Sequence, residues 1–256
     1  MRRLDIQQFA CRSDNYGVLI HDEATGVTAA IDAPDAEPIL ANLKEKGWRL
    51  THLLITHHHS DHTDGNLQLK EATGCTVIGP KAEADRIPGI DRGVGQDDAI
   101  AFGEFEIRVI ETPGHTIGHV TYWIPAASIA FAGDTLFAMG CGRIFEGNAE
   151  IMWASLKKLM GLPPETEIYC GHEYTAANAK FALTIDPENA ALQTRAKDVA
   201  ELRAKGLATL PTRLDLELET NPFLRPHVAA IRQRLRMQHD PDWRVFAEIR
   251  RRKNKA

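Results

Sequence analysis

Four of the chain's 11 histidines fall within six residues, in Thr56-His57-His58-His59-Ser60-Asp61-His62, directly after the apolar run Leu53-Leu54-Ile55. Neutral imidazole is the commonest protein ligand for metal ions, so a cluster at the end of an apolar strand is a candidate metal site. In an extended segment alternate side chains share a face: His57 and His59 point together and His58 points away. Asp61 and His62 follow where the chain turns and are placed to address a second ion. Nitrogen and oxygen ligands without thiolate fit Zn²⁺, Fe²⁺ or Mn²⁺ and do not choose among them. A structural zinc site would more usually contain cysteine, and none is near.

Three further strand ends supply groups of the same kind. Thr112-Pro113-Gly114-His115-Thr116 closes an apolar run with a histidine, Ala132-Gly133-Asp134-Thr135 closes another with an aspartate, and Cys170-Gly171-His172-Glu173 closes a third with a histidine. A glycine beside each lets the backbone approach closely. His58 is expected to support the ligands rather than join them. His21, His52, His119, His227 and His239 stand alone and are read as hydrogen-bonded or solvated side chains.

The elements that must carry these groups are short in the first half of the chain. Leu4–Phe9, Tyr16–His21, Val27–Asp32, His52–Thr56 and Cys75–Ile78 read as strands. Ala99–Phe102 and Phe105–Glu111, joined by Gly103-Glu104, read as a hairpin, and Val120–Ile124 with Ser128–Ala132 as a second pair. Helices are expected at Pro38–Gly47, Asn66–Thr73 and Glu150–Met160, with a last strand at Glu167–Cys170. From Ala176 onward the pattern is helical, over Ala176–Leu183, Pro187–Lys205, His227–Met237 and Trp243–Arg252, with no further strand. The boundary is placed at residue 174, giving segments 1–174 and 175–256 of an α+β, layered fold.

Composition excludes several classes. With 256 residues, 43% apolar and 25% charged, the chain is an ordinary globular one, neither collagen-like nor disordered. No run approaches the ~18 apolar residues of a membrane helix. Met1-Arg2-Arg3 leads straight into Leu4-Asp5-Ile6-Gln7 without the apolar run of a secretory signal. Cys11, Cys75, Cys141 and Cys170 are scattered and are read as reduced thiols of a cytoplasmic protein. No G-x-S-x-G elbow, P-loop or dinucleotide fingerprint occurs. The net charge of −5 is uneven: residues 225–256 hold ten Lys/Arg against three Asp/Glu, so this tail is +7 and the remainder −12. A basic tail of this kind is suited to an anionic ligand.

The order HHHSDH, TPGHT, AGDT, GHE resembles that of the metallo-β-lactamase superfamily. That resemblance implies a four-layer αββα sandwich with a metal site at one edge of two facing sheets. It implies further that His57, His59 and His115 hold one ion, that Asp61, His62 and His172 hold the other, and that Asp134 bridges both.

A narrower resemblance, to the hydroxyacylglutathione hydrolases (glyoxalase II), rests on three stretches. They are Gly133-Asp134-Thr135-Leu136-Phe137 with Gly140-Cys141-Gly142-Arg143-Ile144-Phe145-Glu146-Gly147, then Gly171-His172-Glu173-Tyr174-Thr175, and Thr220-Asn221-Pro222-Phe223-Leu224-Arg225 with Ile249-Arg250-Arg251-Arg252-Lys253. It implies a binuclear metal hydrolase, with zinc as the leading metal and iron or manganese as alternatives, that cleaves S-D-lactoylglutathione to glutathione and D-lactate in methylglyoxal disposal. Asp61 and Asp134 would be its catalytic carboxylates; Arg143, Tyr174, Arg250 and Lys253 would contact glutathione. Phe145 stands where many members have Tyr, which removes one hydroxyl contact. The helical segment 175–256 would bind substrate, and the chain would act as a monomer without nucleic-acid or membrane partners. The rivals are a single-iron glutathione persulfide dioxygenase, a nuclease of the same superfamily gripping phosphates with its tail, and a non-enzymatic metal-stabilised scaffold.

Overall fold

The computed structural model describes residues 4–256; Met1–Arg3, and with them the expected lead-in without a signal, lie outside the described residues. The chain forms two compact units, Met1–Glu111 with Thr116–Gly133, and Thr112–His115 with Asp134–Ala256.

The first unit contains β1 (Leu4–Cys11), β2 (Asn15–Asp22), β3 (Val27–Ile31), α1 (Ala36–Lys46), β4 (His52–Leu54), α2 (Ser60–Thr63), α3 (Asn66–Thr73), β5 (Thr76–Pro80), β6 (Arg92–Val94), β7 (Ala99–Phe102), β8 (Phe105–Glu111), β9 (Val120–Ile124) and β10 (Ile129–Phe131). Strands β1 to β6 form one sheet in chain order, antiparallel through β3 and parallel from β3 to β6. The switch follows from the connections: the turns before β2 and β3 are tight, whereas α1, α3 and the segment holding the Lys81–Arg86 3₁₀ helix carry the chain back along the sheet, as parallel neighbours require. Strands β7 to β10 pair antiparallel. The two sheets meet face to face, because buried Tyr122 on β9 donates its hydroxyl to the Ile55 carbonyl at 2.7 Å, just past β4. On the other face of the first sheet Ile39, Leu43 and Leu69 of α1 and α3 join Leu19, Ala30, Leu53 and Val77 in one buried cluster.

Helix α1 begins two residues before the expected Pro38. Asp35 is its N-cap, accepting from Glu37 N at 3.0 Å, and Pro38 falls in the first turn, where a missing N–H costs nothing. Gly47 ends it in the left-handed conformation (φ 68°). β4 ends at Leu54 rather than Thr56, so the histidine run is loop, with only Ser60–Thr63 helical.

The second unit contains β11 (Leu136–Phe137), β12 (Gly140–Cys141), α4 (Ala149–Met160), β13 (Glu167–Tyr169), α5 (Thr175–Ile185), α6 (Ala190–Ala204), β14 (Thr212–Arg213), α7 (Leu214–Thr220), α8 (Ala229–Leu235) and α9 (Asp242–Lys253). Two features correct the sequence reading. A strand does follow residue 176: Thr212 and Arg213 pair antiparallel with Ile168 and Glu167. Leu136–Cys141 forms a two-stranded ribbon, too short to leave a periodic signal. Trp153 of α4 stacks on Phe246 of α9 with ring centroids 5.9 Å apart, and Phe246 meets Phe223 edge-on at 6.1 Å. The apolar stripe of the basic α9 is thereby buried, while its arginines stay at the surface except for Arg250.

Candidate metal centre

In the first unit the loop after β4 gathers three rings. His57 is fully buried, and its Nε2 lies 3.1 Å from His59 Nδ1; its ring centroid is 4.1 Å from that of His62. Alternation is thus preserved although the segment is not a strand, and His58 turns the other way. Its Nδ1 and backbone N both bond to Glu83 Oε2 at 2.8 Å, and Arg86 abuts its Nε2. Glu83 also accepts from Gly118 N at 2.7 Å, tying the 116–119 loop to the histidine loop.

Asp32 governs the protonation of this group. It is buried and left-handed (φ 58°); it accepts from Thr56 N at 2.7 Å, from Thr56 Oγ1 at 2.9 Å and from His62 Nδ1 at 2.8 Å. Thr56 has spent its only hydroxyl proton on the carboxylate, so at 3.0 Å it accepts from His57 Nδ1. Both rings are therefore protonated on Nδ1, and Nε2 is the acceptor nitrogen that a metal requires. His62 Nε2 lies 3.6 Å from Asp61 Oδ2, and Asn15 donates to the Asp61 carbonyl at 3.0 Å.

In the second unit His115 Nε2 and His172 Nε2 each lie 3.4 Å from the same atom, Asp134 Oδ2. His115 donates from Nδ1 to the Arg143 carbonyl at 2.8 Å, which again leaves Nε2 as the acceptor. Gly142 packs so closely that a Cβ there would lie 1.8 Å from the Asp134 carbonyl. Two buried imidazole nitrogens converging on one buried carboxylate oxygen are a nitrogen and oxygen donor set of the kind divalent ions take.

Aromatic rings flank these histidines. Tyr174 stacks on His172 with centroids 4.7 Å apart and planes 2° off parallel, and Phe145 meets His115 edge-on at 5.2 Å. Both are open to solvent, Phe145 by 59% and Tyr174 by 37%, so neither is core packing. Exposed Arg143 lies 5.8 Å over the Phe145 ring. Arg250 is buried and donates to the Cys141 carbonyl at 2.8 Å, and half-buried Lys253 donates to the Ala177 carbonyl at 3.0 Å. Burial, with Arg250 nearby, holds the Lys253 ammonium below the usual lysine range. Burial pushes the Cys141 thiol up to about 11, which leaves no thiolate for nucleophilic chemistry at neutral pH.

The chain is 58% identical over 252 residues to a protein of Brucella anthropi named hydroxyacylglutathione hydrolase, covering 98% of this chain and 97% of that one. It is a member of the hydroxyacylglutathione hydrolase family. A second member, from Brucella ovis, is 57% identical over 253 residues, covering 99% of this chain and 98% of that one. Two family models divide the sequence: the metallo-beta-lactamase superfamily matches residues 24–172, and the hydroxyacylglutathione hydrolase C-terminus matches 173–256. Among solved structures, that of ETHE1 from Myxococcus xanthus superposes with a TM-score of 0.70 at 27% identity, over 98% of this chain and 91% of that one. The fold is the α+β metallo-β-lactamase fold followed by the helical C-terminal region of the hydroxyacylglutathione hydrolases, and superfamily membership implies divalent-metal binding. No helix among the described residues is long and apolar enough to cross a membrane.

Sequence reasoning missed several supporting residues of this hydroxyacylglutathione hydrolase chain. Asp32 looked like any acid ending a strand, although Asp32-Ala33-Pro34, a break directly before the next helix, hinted at a special backbone position. Glu83 sits in the polar Lys81–Arg86 turn, whose sequence reads as solvated, yet it is fully buried. His119, read as solitary, is buried with its ring 5.0 Å from that of His57.

Proposed function

We propose that this chain hydrolyses S-D-lactoylglutathione to glutathione and D-lactate, the step that completes methylglyoxal disposal, as a cytoplasmic monomer with two divalent ions, zinc first among them. The observation that carries this reading is the near-full-length identity to hydroxyacylglutathione hydrolases, which spans both the metal-ligand motifs and the C-terminal region. His57, His59 and His115 would hold one ion, Asp61, His62 and His172 the other, and Asp134 both. The Nδ1-protonated rings of His57, His62 and His115 support that assignment, since each keeps Nε2 as its acceptor. When bound, the ions would lower the pKa of a coordinated water toward neutrality and polarise the thioester carbonyl.

The remaining work falls to residues of the chain. Asp61 and Asp134 are the carboxylates of the reacting centre. A thiol leaves as thiolate, with a pKa near ~8.5, so no side chain is needed as a strong general acid. Tyr174 and Phe145, stacked on or edge-on to ligand histidines yet open to solvent, are suited to line the path of the thioester. Arg143, Arg250 and Lys253 supply positive charge for a peptide bearing two carboxylates. In this division of labour residues 1–174 carry the chemistry together with Arg143, Phe145 and Tyr174, and 175–256 add Arg250 and Lys253 to the grip on glutathione. Loss of thioester absorbance on adding S-D-lactoylglutathione tests the reading, and no loss with metal-loaded protein would overturn it.

A further inference from the structure

The Asn221-Pro222-Phe223 stretch carries no metal ligand, yet Asn221 is completely buried. Its amide nitrogen donates to the Gly140 carbonyl at 2.9 Å and the Phe137 carbonyl at 3.2 Å, both in the β11–β12 ribbon. The same nitrogen meets Glu217 Oε2 at 3.0 Å, and that oxygen accepts the backbone N–H of Met139 at 2.8 Å. Glu217 is fully buried too, with its other oxygen held by Thr212 at 2.7 Å and by Arg195. Two more side chains finish the cradle: Asn178 donates to the Ala138 carbonyl at 3.1 Å, and Arg250 to the Cys141 carbonyl at 2.8 Å.

Every residue from Phe137 to Cys141 therefore has a backbone polar group held by a side chain from the C-terminal helices or the turn after α7. A two-stranded ribbon of this length is not stable alone, and Met139 at its tip is left-handed (φ 52°) without being glycine. Gly140 lies so close to Asn178 that a Cβ would come within 2.4 Å of the amide nitrogen. The chain enters this ribbon from Asp134 and leaves it toward Arg143, whose carbonyl fixes the proton on His115 Nδ1.

We propose that Glu217 and Asn221 are positioning residues for the metal centre, holding the 137–141 ribbon so that the Asp134 carboxylate and the Arg143 carbonyl stay in place. The inference rests on the assignment of Asp134 and His115 as ligands. A group bonded directly to a ligand sets metal affinity by about 10–100-fold when lost; Glu217 and Asn221 act one bond further out, through the ribbon, so the lower end of that range bounds their effect, whereas a merely structural contact alters melting alone.

The test compares Asn221→Ala, Asn178→Ala and Asp134→Ala with the unaltered protein in three measurements: the melting temperature of the metal-free protein, the chelator concentration that strips half the metal, and kcat against KM. Asn178→Ala removes one neutral bond from the same ribbon and is the variant to read if Asn221→Ala does not fold. The expected result is a variant that folds without metal and, once loaded, gives it up at up to about tenfold lower chelator concentration, with kcat reduced and KM little changed. Glu217→Gln keeps an oxygen for Met139 N–H and should retain more metal than Glu217→Ala. Folded Asn221→Ala and Asn178→Ala proteins that hold metal as tightly as the unaltered chain, while Asp134→Ala loses it, would overturn the positioning role. If Asp134→Ala also kept its metal, the ligand assignment would fall and the inference with it.

Discussion

Asp32→Asn changes one atom and should reverse the proton arrangement of two rings at once. The substituted residue keeps its backbone, because asparagine tolerates the left-handed region that Asp32 occupies at φ 58°. Its amide oxygen can still accept from Thr56 N, as Asp32 Oδ1 does at 2.7 Å. The amide nitrogen then replaces Oδ2, which now accepts from both Thr56 Oγ1 and His62 Nδ1. A donor at that position requires His62 Nδ1 to accept, moving its proton to Nε2. It also fills the Thr56 oxygen, which turns its hydroxyl toward His57 Nδ1 and moves that ring's proton to Nε2 as well. Two of the proposed ligands would thus present N–H to the metal. Loss of a support behind one ligand costs about 10–100-fold in metal affinity, or about 1.4–2.8 kcal/mol, and two rings place the effect at the upper end. The metal-free protein should lose less, because the introduced asparagine would still satisfy the partners that Asp32 holds, Thr56 N, Thr56 Oγ1 and His62 Nδ1. Competitive chelator titration gives the affinity, thermal melting of the metal-free form gives the stability, and thioester absorbance gives kcat. An Asp32→Asn protein with unaltered metal affinity and kcat would refute the claim that this carboxylate sets the ring tautomers.

Asp134→Ala should lose both ions and all turnover, and should do so more completely than His59→Ala; elemental analysis of the purified variants checks this. Phe145→Tyr adds a hydroxyl to a solvent-open ring beside Arg143 and should lower KM about two- to tenfold, for one hydrogen bond of about 0.5–1.5 kcal/mol, leaving kcat unchanged. A raised KM would place the ring against an apolar part of the substrate. The Lys253 ammonium, held below the ordinary lysine value by burial and by Arg250, is charged only below that lowered value. As pH rises through it, before an ordinary lysine would titrate, KM should climb. Lys253→Arg, which stays charged, should remove that climb from the KM–pH profile.

The hairpin Ala99–Phe102 and Phe105–Glu111 falls at its expected bounds because Gly103-Glu104 interrupts two alternating runs. Helices α3 and α4 were legible for the same reason, with apolar spacing and an end marked by Gly74 or Asn148. The β11–β12 ribbon and β14 were not, since two residues per strand carry no period and their stability comes from distant partners. Glu217 was hidden inside the acidic Asp215–Glu219 stretch, where its burial depends on Arg195, Thr212 and Asn221 arriving from elsewhere. Candidate ligands were legible because their chemistry is local to short motifs. The residues behind them, Asp32, Glu83 and Asn221, act across 24 to 84 positions of sequence, so short motifs do not show which groups they hold.

The central claim is tested most directly by one assay on the purified, metal-analysed protein, following thioester absorbance with S-D-lactoylglutathione while an electrode records dissolved oxygen. Two metal equivalents per chain and rapid loss of absorbance, with the oxygen trace flat, are expected. One iron per chain, with no thioester loss and oxygen consumed on adding glutathione persulfide, would contradict it.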